Sequence, residues 1–288
     1  MSTPSSLGDR FIAWALAEPA VSVVVQIGSR VRASGEPGSA DLFSEWDFQI
    51  VVGRPDVFGA RGDFVRMGIG APLAHVVRGG RLGSARKVTA LFPDGELDVV
   101  LIPAEQVGYV QQQVKAGTYA ANPQVLRALE DQALVLAGGY KFIKGEALAG
   151  ELFAFIKERV ALPRLGDAEV CDLAEGFVCD YVSTLRKIDR GELLAAQRWL
   201  HHQLVEANFR LLHELRQRRS QPSFPDARRI ETLSGPEQRA LVAIDARPVR
   251  AELLGAVDKA AQNCRDLVAA LVGEKWRWPE LPIPVSSK

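Results

Sequence analysis

Three acidic residues beside apolar, β-type runs have the clearest chemical potential in this sequence. Glu45 and Asp47 flank Trp46 in "SEWDFQIVV", and Asp98 begins the run "DVVLI". Alternate side chains of a strand share a face, so adjacent strands would bring these three carboxylates together. Clustered carboxylates repel one another unless a cation compensates them, and oxygen ligands suit Mg²⁺. The spacing therefore predicts a magnesium site, with two ions able to activate an attacking oxygen and stabilise a leaving one.

A short turn between the first apolar run and these acids is suited to phosphate. Gly28, Ser29 and Arg30 follow "VSVVVQI" directly. Glycine lets backbone N–H groups approach a phosphate closely, and the serine hydroxyl adds a donor. We expect Gly28 and Ser29 to bind nucleotide phosphates. Arg30 is a further nucleotide-binding candidate, although a surface salt bridge explains it equally well.

The surrounding pattern predicts an α+β fold in two parts. Runs of β-branched residues alternate with short helical segments up to about residue 140, and "ARKVTALFPDGELDVVLIP" predicts a hairpin with its turn at Pro93–Asp94–Gly95. Long amphipathic stretches with three- and four-residue apolar spacing follow. We predict a mixed sheet with flanking helices over residues 1–140 and a bundle of four to six helices over residues 141–288.

The amino-acid composition argues against several functional classes. The 288 residues carry 35 basic and 35 acidic side chains, a formal net charge of zero that gives no support for nucleic-acid binding or a polybasic membrane anchor. The N-terminus lacks the pattern of a signal peptide, and no run reaches the length of a membrane span. Three cysteines without metal-ligand spacing indicate buried thiols in a reducing compartment. We expect a cytoplasmic protein.

The three motifs together resemble the nucleotidyltransferase superfamily typified by DNA polymerase β. Gly28–Ser29, Glu45-Trp46-Asp47-Phe48 and Leu97-Asp98-Val99 stand in that family's order. The segments "GSR", "DLFSEWDF" and "DGELD" are similar to the aminoglycoside 6-adenylyltransferase branch, the streptomycin-modifying enzymes. That branch usually has Asp where this chain has Glu45, which keeps the charge but reaches one methylene further. The motif resemblance covers roughly the first third of the chain.

The resemblance implies transfer of AMP from Mg²⁺-bound ATP to an acceptor hydroxyl, with release of pyrophosphate. Glu45 and Asp47 would hold the metal that bridges the phosphates, Asp98 would join Asp47 on a second metal, and Gly28 and Ser29 would hold the leaving phosphates. Two nearby acids have other expected roles. Asp41 is expected to cap its turn as an Asx residue, and Glu96 to be solvated or to support the ligands.

The acceptor implied by the branch is a small cationic hydroxyl compound such as streptomycin, which would make the chain an antibiotic-resistance enzyme. Such an acceptor needs carboxylates near the phosphates. The segment "GDAEVCDLAEGFVCDYV" supplies an acidic stripe, for which a solvated helix face is the ordinary explanation. Its acceptor-binding candidates are Glu169, Asp172, Glu175 and Asp180. We expect a monomer or weak homodimer.

The sequence is also consistent with two alternative functions. A toxin–antitoxin-type nucleotidyltransferase would keep the three acids but modify a protein or RNA. An inactive member would keep the fold and sense nucleotide, and Glu45 in place of Asp is its sequence support. Measuring the binding of ATP with Mg²⁺, and the release of pyrophosphate with a candidate acceptor, would distinguish the aminoglycoside-modifying enzyme from these two alternatives.

Overall fold

The computed structural model describes residues 6–53, 56–79, 85–224 and 228–281. The chain forms two compact units, Met1–Pro163 and Arg164–Lys288. The first contains a six-stranded sheet and the second is helical, as predicted for the fold class. Among the described residues, no helix combines the length and apolar character that crossing a lipid bilayer requires.

The sheet of the first unit is mixed, with strand order β3-β4-β5-β2-β1-β6. The strands are β1 (Val21–Ile27), β2 (Trp46–Val52), β3 (Ala74–Gly79), β4 (Arg86–Phe92), β5 (Gly95–Pro103) and β6 (Tyr140–Lys144). β2 and β5 are parallel, and the other pairs are antiparallel. The predicted hairpin is confirmed, because Phe92 pairs with Gly95 across a two-residue turn.

Helices cover both faces of this sheet. They are α1 (Leu7–Ala17), α2 (Arg61–Arg66), α3 (Ala104–Lys115), α4 (Pro123–Ala137) and α5 (Glu146–Arg159). α1 and α2 pack on one face through Phe11 and Phe64, in a cluster that includes Phe48 of β2. α3, α4 and α5 contribute to a second cluster with Val23 and Val25 of β1 on the other face. β1 and β2 therefore bury alternate side chains against different helices.

The first unit extends beyond the boundary predicted at residue 140. β6 begins at Tyr140 and pairs antiparallel with β1, and Phe153 and Ile156 of α5 lie in the cluster with Val23. The change in composition after residue 139 marks the start of helix-rich sequence. The compact unit ends later, at Pro163, because one short strand and one helix complete the sheet and its second face.

The second unit is built around three long helical stretches. Its helices are α6 (Asp167–Asp189), α7 (Leu193–Trp199), α8 (Glu206–Arg218), α9 (Ile230–Leu233), α10 (Pro236–Ala240) and α11 (Arg250–Val272). A π-helical segment, Leu200–Val205, joins α7 to α8. α6, α8 and α11 contribute Phe177, Leu211 and Leu267, all fully or nearly fully buried, to one core.

A buried carboxylate ties the start of this unit to α8. Glu214 accepts hydrogen bonds from the side chains of Arg164 and Arg218 and from the backbone N–H of Leu165. Its side chain is only 4% exposed. Burial raises the pKa of Glu214, but these hydrogen bonds outweigh burial and hold the pKa below its usual value.

Candidate active site

The predicted acids lie on one face of the sheet because β2 and β5 are parallel neighbours in matching register. Asp47 pairs with Asp98, and Phe48 pairs with Val99. Phe48 and Val99 are buried in the cluster with α1 and α2. Strand alternation then directs Asp47 and Asp98 to the opposite face. Trp46 packs toward α1, on the face opposite the acids.

Three carboxylates gather near the beginning of these strands. Ligand oxygens of Glu45, Glu96 and Asp98 all lie within 4.8 Å of one another. Glu45 and Glu96 are half-buried, whereas Asp98 is 5% exposed. Lys87 of β4 forms an ion pair with Oδ2 of Asp98. Oδ1 of Asp98 is buried and receives no hydrogen bond from the part of the chain that the structure describes.

The pKa of Glu45 is raised above its ordinary value. Burial is the largest cause that raises its pKa, followed by the charges of Asp98 and Glu96. The positive charge of Lys87 opposes the shift. The cluster therefore carries more negative charge than one ammonium neutralises.

These residues fit a divalent cation with oxygen ligands. Three carboxylates can converge on one ion, and a buried carboxylate oxygen without a hydrogen bond is costly unless something compensates it. Glu45, Glu96 and Asp98 are the side chains placed to hold the ion. Asp47 lies on the same face but outside this group of three, and its predicted role as a metal ligand stays a prediction.

Asp47 is instead set against the Gly28 turn. Gly28 follows β1 with φ +81° and ψ −151°, a conformation that is essentially restricted to glycine. A Cβ atom on Gly28 would lie 2.7 Å from Oδ2 of Asp47. Ser29 begins a single 3₁₀ turn, Ser29–Val31, immediately after it. The turn predicted to bind phosphate and the predicted acid on β2 are therefore in direct proximity.

Arg30, predicted to contact nucleotide, is engaged by the protein itself. Its Nε donates to the carbonyl oxygen of Glu45 at 2.9 Å, and its Nη2 donates to that of Ser44 at 2.5 Å. The guanidinium carbon lies 4.1 Å from the centre of the Trp46 ring. These contacts fix the backbone that carries Glu45, a role that sequence alone did not indicate.

The turn before Glu45 is closed by its own side chains. Oδ1 of Asp41 accepts hydrogen bonds from the Phe43 backbone N–H and the Ser44 hydroxyl, which confirms the expected Asx turn. The Ser44 hydroxyl in turn accepts from the backbone N–H of Asp41. Glu45 is thus presented from a locally hydrogen-bonded turn.

The four acceptor-binding candidates all lie on α6 of the second unit. Glu169 accepts from the backbone N–H of Gly166 and caps the helix. Glu175 accepts from the Trp276 indole, Asp180 accepts from the Trp199 indole, and Asp172 is exposed. Three of the four carboxylates thus accept hydrogen bonds from other groups of the second unit. Their predicted contact with an acceptor stays a prediction.

No family model and no curated protein matches the chain. The chain is similar to the crystal structure of an aminoglycoside 6-adenyltransferase from Bacillus subtilis, with 14% identity, coverage of 96% of this chain and 94% of that chain, and a TM-score of 0.41. It is also similar to a nucleotidyltransferase-like protein from Exiguobacterium sibiricum 255-15, with 10% identity, coverage of 92% and 74%, and a TM-score of 0.34. Both TM-scores are below 0.5.

Proposed function

We propose that this chain is a metal-dependent nucleotidyltransferase that transfers AMP from ATP to a hydroxyl group of a small cationic acceptor. The observation that carries the proposal is the carboxylate cluster on one sheet face, with the buried Oδ1 of Asp98, which receives no hydrogen bond within the described part of the chain. The Gly28 turn, which contacts Asp47 on the same face, supports it. A cation site beside a glycine turn is what a nucleoside triphosphate requires.

The residues divide into two groups in this proposal. Glu45, Glu96 and Asp98 would hold Mg²⁺, with Asp47 as the fourth carboxylate of that face, and a second ion would use the same set. When bound, Mg²⁺ would neutralise the negative charge that develops on the phosphate oxygens. Backbone N–H groups at Gly28 and Ser29, with the Ser29 hydroxyl, would hold the β- and γ-phosphates.

The transfer itself exchanges one phosphorus–oxygen bond for another. The acceptor hydroxyl oxygen bonds to the α-phosphorus, and the bond to the bridging oxygen of the β-phosphate breaks. Pyrophosphate leaves with that electron pair, and the hydroxyl proton passes to a carboxylate of the site or to water. The role of the chain is to orient the phosphates and the acceptor and to hold the charges that stabilise the phosphate oxygens, since positioning and electrostatic stabilisation together supply nearly all of the acceleration in such reactions.

We propose an aminoglycoside such as streptomycin as the acceptor, which would make antibiotic resistance the physiological role. Support comes from the motif resemblance and from charge matching. Cationic amino sugars are attracted to carboxylates, and Glu169, Asp172, Glu175 and Asp180 form the acidic stripe of α6.

A pyrophosphate-release screen with ATP, Mg²⁺ and a panel of aminoglycosides tests this function. We expect release that depends on both Mg²⁺ and one aminoglycoside, and that Asp98→Asn abolishes. Asp266→Asn, the same chemical change at an exposed site on α11, is the matched control and should behave like the parent. Release only with a protein or RNA acceptor would replace the aminoglycoside by the toxin-type activity. Tight ATP binding without release would indicate an inactive nucleotide sensor.

A further inference from the structure

We propose that Lys87 is a resident counter-ion that holds the carboxylate cluster together before the metal binds and is displaced by the metal. The inference rests on the proposed metal site. Lys87 lies on β4 and belongs to none of the three sequence motifs. Its proposed role has a measurable effect on metal affinity.

The sheet register brings Lys87 to the cluster. In the β4–β5 pairing, Thr89 lies opposite Asp98 and Lys87 lies opposite Val100. Lys87 lies two positions before Thr89 on β4, and Thr89 is the residue paired with Asp98. Because side chains two apart in a strand point the same way, Lys87 lies on the face of Asp98. Its Nζ pairs with Oδ2 of Asp98, while Oδ1 remains without a hydrogen bond from the described residues.

Without a metal, the Lys87 ammonium is needed to compensate the charge of Asp98. One ammonium is not enough to neutralise all three carboxylates. Glu45, Glu96 and Asp98 bring three carboxylates within 4.8 Å of one another, and among the described residues Lys87 is the cation paired with them. A buried carboxylate without a partner charge is strongly destabilising. A divalent ion bound to the same oxygens would meet repulsion from the ammonium as long as it stayed in place.

The burial of the two partners shows which one can move. The Asp98 side chain is 6% exposed, whereas that of Lys87 is 44% exposed. Asp98 is fixed in a central strand, and the lysine carries its charge on a flexible four-carbon stem that reaches solvent. Metal binding is therefore an exchange of cations, in which the ammonium leaves toward solvent as the metal arrives.

Removing the charge of Lys87 should tighten metal binding. We would measure Mn²⁺ affinity of the full-length chain by electron paramagnetic resonance of the free ion, without nucleotide. Lys87→Met, which removes the competing charge, should bind Mn²⁺ about tenfold more tightly than the parent, and Lys87→Arg, which keeps it, should match the parent. Lys259→Met, at an exposed position on α11, controls for the change in net charge.

Thermal unfolding supplies a second readout. Lys87→Met should have a lower Tm than the parent without metal, because Asp98 loses its partner charge. Saturating Mn²⁺ should raise the Tm of this variant more than that of the parent. A lysine with a merely structural role would lower the Tm equally with and without Mn²⁺ and leave the affinity unchanged.

The outcomes separate this inference from the proposed function. Unchanged or weaker Mn²⁺ binding by Lys87→Met, with the parent binding normally, would overturn the counter-ion role alone. Absence of Mn²⁺ binding by the parent and by every variant would overturn the metal site, and the proposed function with it.

Discussion

Replacing Gly28 by alanine should disturb the candidate site through two separate costs. The backbone cost arises because φ +81° and ψ −151° are essentially restricted to glycine, and such strain costs about 1–3 kcal/mol. The steric cost arises because the new Cβ would lie 2.7 Å from Oδ2 of Asp47, and ordinary contacts begin at 3.4 Å. The carboxylate or the turn must therefore retreat by about 0.7 Å, and displacements approaching 1 Å in a catalytic site can reduce the rate by about 100-fold.

Urea unfolding in a double-mutant cycle separates the two costs. Gly28→Ala should lower the free energy of unfolding by about 3 kcal/mol in the parent background, with overpacking added to backbone strain. In an Asp47→Ala background the colliding oxygen is absent, so the same change should cost about 1 kcal/mol less. Gly117→Ala is the matched control, because Gly117 also has a positive φ, +71°, but its Cβ would meet nothing within 4 Å.

An equal cost of Gly28→Ala in both backgrounds would refute the reasoning, because the contact with Asp47 would then contribute nothing. A cost no greater than that of Gly117→Ala would likewise show that the close approach has no energetic weight.

Three further predictions concern α1, the buried Glu214 of α8 and the carboxylate Asp47. Gly8→Ala on α1 would place a Cβ 2.2 Å from the Trp46 ring and should lower the urea midpoint and alter tryptophan fluorescence, whereas Gly176→Ala, with open space around it, should not destabilise. The depressed pKa of Glu214 means that its contribution to stability is complete above its usual pKa of 4.5 and is lost as the pH falls through the lower folded pKa. Glu214→Gln should therefore flatten the acid side of a stability–pH profile, and it should cost about 3 kcal/mol at pH 7. Asp47→Asn should abolish pyrophosphate release with the far-ultraviolet circular dichroism spectrum unchanged, and parental turnover would refute a catalytic role for it.

The placement of the acids on one face was predictable because strand alternation is a local property. Asp47 and Asp98 each adjoin an apolar run, and the period of two fixes their face once the strands pair. The membership of Glu96 in the cluster was harder to predict. Glu96 shares a face with Asp98 whenever this segment forms a strand. Only the packed side chains show that Asp47 lies against Gly28.

Features that depend on long-range pairing could not be predicted from the sequence. Lys87 is an ordinary strand residue until the β4–β5 register brings it to Asp98. Arg30 has the right chemistry for phosphate or for carbonyl oxygens, and only the folded turn selects the carbonyls of Ser44 and Glu45. β6 is five residues long inside helix-rich sequence, and its partner lies far away in the chain.

The late position of β6 has a consequence for how the chain folds during synthesis. Ile27 of β1 pairs with Tyr140, 113 positions later, so one edge of the apolar strand "VSVVVQI" stays open until β6 has emerged. At about 5–20 residues per second, that interval lasts about 6–23 s on the ribosome. An open apolar edge is a template for pairing with other chains. A fragment that stopped at the change in composition, before β6, would keep this edge open permanently and should aggregate.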